Sequence, residues 1–392
     1  MKITSAYEYK GGHSIELLRS GENFFTALEK VIDKASHYIH FQTYIVDEDE
    51  TGIRIINALI RAAGRGVRVY LLLDAFGTRN LTAAFIKKIE DSGIFFRFFS
   101  PTLITNGLLL SLRLHHKILL ADGNTAIIGG INIADRYRGT EKKKEWLDFA
   151  LRFQGPECVR VLNIVEKLWN RTFISRKGRR SREIVHHPVL YKENAYLRVL
   201  QNNWYRNKIE ILKSYRYAIR HSQNRMIMFA SYFLPGRNER KLLRNASRRG
   251  VDIKIVLSGN SDAPMFKRAT NFLYEFILKN NIRIYEYIPA NLHAKVATVD
   301  GKWSTIGSYN LNHLSDYGSL ETNVDISDSR FAHRFETILL KIINKDCRQV
   351  TFDEYIHRKT WLFRLPDWLS YQAIRVMMRL MFLLTGKRKK LV

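Results

Sequence analysis

The sequence predicts an α/β protein made of two similar halves, and three observations carry that prediction. Strand-like and helix-like runs alternate along most of the chain. The pattern His-x-Lys, four residues, Asp occurs twice, at His115-Lys117-Asp122 and His293-Lys295-Asp300, and 293 − 115 = 178. Each copy leads into an apolar run and a small-residue turn ending in asparagine, Gly129-Gly130-Ile131-Asn132 and Gly307-Ser308-Tyr309-Asn310, and 310 − 132 is again 178. Two copies with their trailing turns in register indicate duplication.

In the first half, Phe24, Leu28, Val31, Ile32 and Ala35 recur at helical spacing. His37 to Val46 reads as a strand, rich in β-branched and aromatic residues. Gly52 to Ala63 reads as a helix with Ile53, Ile56, Leu59, Ile60 and Ala63 apolar. Arg65-Gly66 then turns into the strand Val67–Asp74, apolar enough for a sheet covered on both faces. A helix follows over Thr82–Asp91, then the first motif, and a closing helix is expected over Val159–Phe173. Arg176-Lys177-Gly178-Arg179-Arg180-Ser181-Arg182 is a basic break, read as a solvated linker with phosphate contact as the sharper alternative. The expected domains are therefore 1–180, 181–350 and a tail, 351–392.

The second half repeats the order. Ala230-Ser231-Tyr232-Phe233-Leu234 parallels Gln42-Thr43-Tyr44-Ile45-Val46. A helix over Leu242–Arg249 ends at Arg249-Gly250-Val251, which parallels Arg65-Gly66-Val67, and a strand runs on to Leu257. Tyr274–Leu278 reads as the next helix and Ile282–Tyr287 as the strand before the second motif.

In a strand, residues i and i+2 share a face, so His115 projects with Lys117 and His293 with Lys295. The odd separation from His115 places Asp122 off that face, in an Asp-Gly turn where it braces the turn or holds Lys117; Asp300-Gly301 makes the second such turn. His116 faces the other way and reads as structural. Asp148 reads as a water-facing edge residue or as a carboxylate that orients a histidine; Glu321 occupies the matching place in the second half. Two such faces supply a nucleophile, a proton donor and two fixed cations. Imidazole suits both histidine roles because its ordinary pKa, about 6.5, lies near working pH. The lysines, with Asn132 and Asn310, suit the oxygens of a transferring phosphoryl group. The implied reaction is attack of one imidazole on a phosphodiester, giving a phosphohistidine, with the other protonating the leaving alcohol. It calls for no cofactor, and the lysines take the place of a metal.

Composition narrows the partners. Of 392 residues, 46% are hydrophobic, enough for packed cores. The net charge of +27 points to a polyanion, either nucleic acid or an anionic membrane surface. The two cysteines, Cys158 and Cys347, have no metal-site spacing, and Met1–Glu8 has no apolar h-region. A reducing, cytoplasmic setting is therefore expected.

The paired motifs resemble the phospholipase D superfamily and, within it, the short bacterial cardiolipin synthases without N-terminal membrane spans. The resemblance runs from Leu18 to about Asn323 and includes Arg61–Val67, Gly259-Asn260-Ser261-Asp262 and Ile284-Tyr285-Glu286-Tyr287. It implies two α/β/α sandwich domains sharing one active site, a phosphohistidine intermediate, and bracing in which Glu321 supports His115 and Asp148 supports His293. By that analogy His115 is the nucleophile and His293 the general acid, although near-symmetry leaves the assignment open. The implied reaction converts two phosphatidylglycerols into cardiolipin and glycerol. The competing reading is a phosphodiesterase or nuclease of the same superfamily; no nucleic-acid-binding module is visible, so a nucleic-acid partner is not expected.

Trp361–Val392 has no counterpart in the first half. Gln372, Arg375 and Arg379 form one polar stripe on an otherwise apolar helix. Two arginines at the bilayer centre would cost roughly 2.5–3.5 kcal/mol each, which disfavours a span. The segment reads as an interfacial amphipathic helix on the cytoplasmic face, with the basic cluster Lys387–Lys390 adding attraction to anionic lipid; packing on the protein's own core is the alternative.

Overall fold

A computed structural model describes residues 8–99, 113–171, 180–184, 195–203, 208–358 and 361–384. The chain divides into two compact units. The first holds residues up to Gln201 together with Thr305–Tyr309 and Ser319–Asp328; the second holds Asn202–Ser304, Asn310–Gly318 and the chain from Ser329 onward.

In chain order the first unit contains β1 (Lys10–Arg19), α1 (Glu22–Lys34), β2 (Tyr38–Thr43), α2 (Glu50–Gly64), β3 (Arg68–Asp74), α3 (Ala83–Glu90), β4 (Phe95–Phe99), β5 (Arg113–Leu114), β6 (Lys117–Ala121), β7 (Thr125–Gly129), α4 (Asp135–Arg138), β8 (Phe149–Gln154) and α5 (Cys158–Arg171). β9 (Ala195–Asn203), β10 (Lys208–Ile209), α6 (Glu210–His221), β11 (Arg225–Ala230), α7 (Arg237–Arg248), β12 (Asp252–Ser258), α8 (Pro264–Phe272), α9 (Tyr274–Lys279), β13 (Arg283–Tyr287), β14 (Lys295–Val299) and β15 (Trp303–Gly307) follow. The chain ends with α10 (His313–Tyr317), β16 (Ser319–Ile326), α11 (Ser329–Asp346), β17 (Cys347–Val350), α12 (Phe352–Arg358) and α13 (Trp361–Leu384).

The duplication is visible as the same four-strand frame in each unit. β2 runs parallel to β3, and β3 to β4, while β6 lies antiparallel on the other edge of β2. β11, β12, β13 and β14 repeat this arrangement, with Met228 facing Ile255 on one side and Ala297 on the other. β2 and β6 are buried along their whole length, as sheets covered on both faces require. Both turns after α2 and α7 are clasped alike. Arg65 donates to the carbonyls of Ile32 and Ala35, and Arg249 to those of Ile219 and Ser222.

The apolar faces pack largely where periodicity places them. Phe24, Leu28, Val31, Ile32 and Ala35 are all buried in the first core. On α2 the buried stripe is Ile55, Ile56, Leu59 and Ala62, whereas Ile53 is 40% exposed. The helix begins two residues early, at Glu50, behind the cap Asp49, whose carboxylate accepts the Gly52 N–H at 2.9 Å. Ile53 in that first turn falls off the core-facing stripe. Two strands, β1 and β9, had no clear signal: β1 opens with Gly11-Gly12 and is only half-buried, so neither alternation nor an apolar run marks it.

Residues 180–184, at the end of the basic break, lie against the first unit. Ser181 bonds His40 and Glu166, and Glu183 pairs with Arg68 and Tyr70. The rest of that run, 176–179, lies outside the described residues.

α13 packs against α8 in the second unit. Ile374 and Met378 are buried, and the Tyr371 ring meets Phe272 at 4.8 Å. Leu365, Trp368, Leu369 and Val376 are exposed. Arg375 donates to Gln372, two members of the expected polar stripe. The basic cluster at 387–390 lies outside the described residues. No described helix is long and apolar enough to cross a membrane.

Candidate active site

The first motif stands where β5 gives way to β6. The Leu114 N–H is held by the Asp74 carboxylate at 2.8 Å, and the His115 N–H donates to the Leu320 carbonyl at 3.1 Å. β5 pairs in parallel with β16, so His115 is delivered beside Glu321. Its Nδ1 lies 2.9 Å from both Glu321 carboxylate oxygens. Glu321 is buried and also receives the hydroxyls of Ser308 and Ser319. Burial by itself would raise its carboxyl pKa. The adjacent His115 charge, with the hydrogen bonds from His115 and Ser308, outweighs that and holds the group below its ordinary value. An ionised carboxylate on Nδ1 makes that nitrogen the proton carrier, which leaves the lone pair on Nε2.

Lys117 is 5% exposed and turns its ammonium back onto the His115 carbonyl. The Tyr44 ring closes one side, 5.2 Å from the His115 ring and 5.3 Å from the Lys117 ammonium. His116 points into the core, bonded to Gln42 at 3.0 Å. Burial, with the Lys117 charge added, drives its pKa down to about 3.

Asp122 is the turn brace. Its carboxylate accepts the N–H groups of Ser36, His37 and Tyr38 at 2.8–3.0 Å, which ties the start of β2 to the end of β6. Asp300 does the same for Gln223, Asn224 and Arg225 at 2.8–2.9 Å. Both aspartates sit at positive φ, 50° and 54°, where Asp is among the tolerated residues. Neither carboxylate bonds its motif lysine; Lys295, like Lys117, turns to its own motif histidine's carbonyl.

In the second unit His293 is 6% exposed and Lys295 1%. The N–H of Leu292, preceding His293, is held by the Ser258 hydroxyl at 2.9 Å. Asn310 is buried, and its Oδ1 accepts the Tyr232 N–H at 3.4 Å. In the first unit, Asn132 donates to the Tyr137 hydroxyl at 2.8 Å, while its buried Oδ1 has no hydrogen-bond partner among the described residues.

Asp148 is fully buried, so it is not a water-facing edge residue. Its Oδ1 accepts the Phe149 N–H at 2.8 Å. A Cβ on Gly130 would fall 2.4–2.8 Å from this carboxylate, which explains the glycine. The matching Ser308 faces the longer Glu321 and adds a hydrogen bond instead. Glycine goes with the aspartate, and serine with the glutamate.

Asp74, Tyr44, Arg113 and Ser308 are the site residues that motif reading passes over. Asp74 carried a signal, being the one acidic residue closing an otherwise apolar strand; Ser308 and Tyr44 lie in the repeated segments without a role being read for them, and nothing in the sequence marks Arg113.

A family model described as "Cardiolipin synthase, PLD-like domain" matches residues 28–149 and again 215–343. Cardiolipin synthase B of Salmonella typhimurium is 31% identical over 370 residues, which cover 94% of this chain and 89% of that protein; the Escherichia coli K12 protein gives the same figures. Cardiolipin synthase of Geobacillus kaustophilus is 29% identical, covering 88% of this chain and 69% of that one. Among solved structures, phosphatidylserine synthase of Haemophilus influenzae superposes with a TM-score of 0.69 at 14% identity, covering 95% of each chain, and thus shares the fold.

Proposed function

The chain belongs to the cardiolipin synthase family of phospholipase D-like proteins, and from that premise we propose that it is a phosphatidyltransferase converting two phosphatidylglycerols into cardiolipin and glycerol. The observation that carries the reading is the buried Glu321 carboxylate on His115 Nδ1. It fixes the tautomer in which Nε2 is the nucleophile.

His115 Nε2 attacks the phosphorus of the donor lipid. The bond to the glycerol headgroup breaks, and His293, protonated, delivers its proton to the leaving oxygen. The free hydroxyl of a second phosphatidylglycerol then loses its proton to His293 and attacks the phosphatidyl-histidine. The phosphorus–nitrogen bond breaks, cardiolipin leaves, and both histidines are restored. Lys117 and Lys295, with Asn132 and Asn310, hold the phosphoryl oxygens as charge spreads over them. The Asn132 Oδ1, without a partner among the described residues, fits an amide that meets a ligand. Asp148 is assigned to His293 as Glu321 is to His115. Asp122 and Asp300 serve the reaction by fixing the turn behind each motif.

The enzyme works on a membrane surface from the cytoplasmic side. α13 is anchored by Tyr371, Ile374 and Met378, and offers Leu365, Trp368, Leu369 and Val376 to the lipid. The charge of +27 suits an anionic bilayer.

The test is incubation with phosphatidylglycerol vesicles and, separately, with single-stranded DNA. Cardiolipin and released glycerol in equal amounts are expected; DNA cleavage with inert lipid would overturn the reading. Trp368→Ala combined with Leu369→Ala should weaken vesicle binding roughly tenfold or more, given about 1.5–3 kcal/mol per large apolar side chain. Unchanged sedimentation with vesicles would remove α13 from the membrane.

A further inference from the structure

Two arginines gather beside His115, and the second half has no counterpart to them. Arg113 stands two residues before His115, and its guanidinium lies 4.6 Å from the centroid of the Phe76 ring. Arg79 lies 4.3 Å from the same centroid. Burial, and then the Asp74 carboxylate, push the Tyr44 hydroxyl up to about 12 while Arg113 and Arg79 act against that rise, and the Tyr44 ring packs on His115. The four side chains thus make one basic wall next to the attacking imidazole.

Arg113 is incompletely satisfied. Its Nη1 is buried with no hydrogen-bond partner among the described residues, and an Asp74 carboxylate oxygen lies 3.8 Å away. Asp74 is already engaged by the N–H groups of Phe76, Gly77 and Leu114. A buried guanidinium N–H without an acceptor is costly unless a ligand supplies one.

Structural duty does not explain the pair. In the second half the N–H before the motif histidine is held by a neutral hydroxyl, Ser258, and the residue matching Arg113 is Asn291. Tyr232, which matches Tyr44, donates its hydroxyl to the Asp262 carboxylate. The first half sets two cations and Asp74 near this tyrosine, whereas in the second an anion takes the hydroxyl itself.

We infer that Arg113 and Arg79 form a second anion subsite, which holds the phosphodiester of the acceptor phospholipid while its hydroxyl attacks the phosphatidyl group on His115. The subsite favours a charged lipid acceptor over free glycerol or water. This rests on the phosphatidyltransferase reading above.

The experiment separates the two acceptors. Phosphatidylglycerol vesicles are supplied with labelled free glycerol. Exchange of label into phosphatidylglycerol reports transfer to a neutral alcohol, and cardiolipin reports transfer to the lipid. In Arg113→Gln the ratio of cardiolipin to exchanged glycerol should fall about tenfold or more, the size of one lost charge-assisted hydrogen bond. The apparent KM for phosphatidylglycerol in cardiolipin formation should rise, and Arg113→Lys should give an intermediate ratio. Arg79 is exposed, so Arg79→Gln reads the same ratio without disturbing the core, with a fall of several-fold expected. An unchanged ratio in these variants overturns the subsite. Wild-type protein that yields neither product overturns the transferase reading instead.

Discussion

The two motifs share a scaffold and differ in their surroundings. Asp122 and Asp300 each gather three backbone N–H groups, and Lys117 and Lys295 each turn to the carbonyl of their own histidine. Around that common frame the residues diverge. Asp74 and Arg113 stand against Ser258 and Asn291, and Glu321 with Ser308 against Asp148 with Gly130. Duplication thus preserved the turn braces and the lysine-to-carbonyl contacts, while the residues around the two histidines diverged.

The sharpest way to break this comparison is to remove each histidine. His115→Ala and His293→Ala should each cost at least ~10³-fold in cardiolipin formation, because each does half of one reaction. Near-normal turnover in either would mean the motifs work separately. With labelled donor lipid, attachment of label to His115 that is stable in base and labile in acid, as a phosphorus–nitrogen bond is, and lost in His115→Ala, would assign the nucleophile; label on His293 would reverse the roles.

Glu321→Gln should lower kcat by about 10²–10⁴-fold, since the neutral amide no longer stabilises the imidazolium or fixes its tautomer. The sign of the pH effect follows from the depressed Glu321 carboxyl. Its stabilising contribution is present above the unfolded-state carboxylate pKa and is lost as pH falls through the lower folded value. A variant with wild-type kcat would strip Glu321 of its role.

The halves should also differ in acid tolerance. His40 and His116 are buried, and burial drives both to about 3. Their counterparts by strand register and motif spacing are Ile227 and Ala294. Below about pH 6.5 the unfolded chain takes up protons that these folded histidines refuse, so stability falls with pH down to about 3. Each contributes up to about 1.4 kcal/mol per pH unit. His116→Ala, which copies the second half, should flatten the fall in Tm between pH 7.5 and 5.5; a slope equal to wild type would refute the assignment.

The smallest effect is expected at the braces. Asp122→Ala and Asp300→Ala should each destabilise by about 1–2 kcal/mol, because five of the six freed N–H groups, all but that of Tyr38, lie at the surface where water can reach them. Equal losses in urea unfolding would confirm that the frame is shared, and a loss at only one would show that the second brace is redundant.

The repeat spacing of 178, the alternation of strand and helix, and the pairing of His115 with Lys117 were legible because they are local or periodic. The structural role of His116 was legible from strand alternation alone. Ile53 was misplaced because the buried stripe of its helix centres on Ile55, Leu59 and Ala62, leaving Ile53 on the far side, and β1 went unseen because half-burial leaves no clean pattern.

What the sequence by itself determined is the inventory: two motif copies, two asparagine turns, and an acid after each. Those facts rest on identity and spacing along one chain. Only the tertiary structure decided which groups meet. Glu321 lies 206 residues from His115, and Asp74 lies 40 residues from the N–H it holds. Such contacts are made by the pairing of β5 with β16 and by the end of β3, and no periodicity along the chain encodes them.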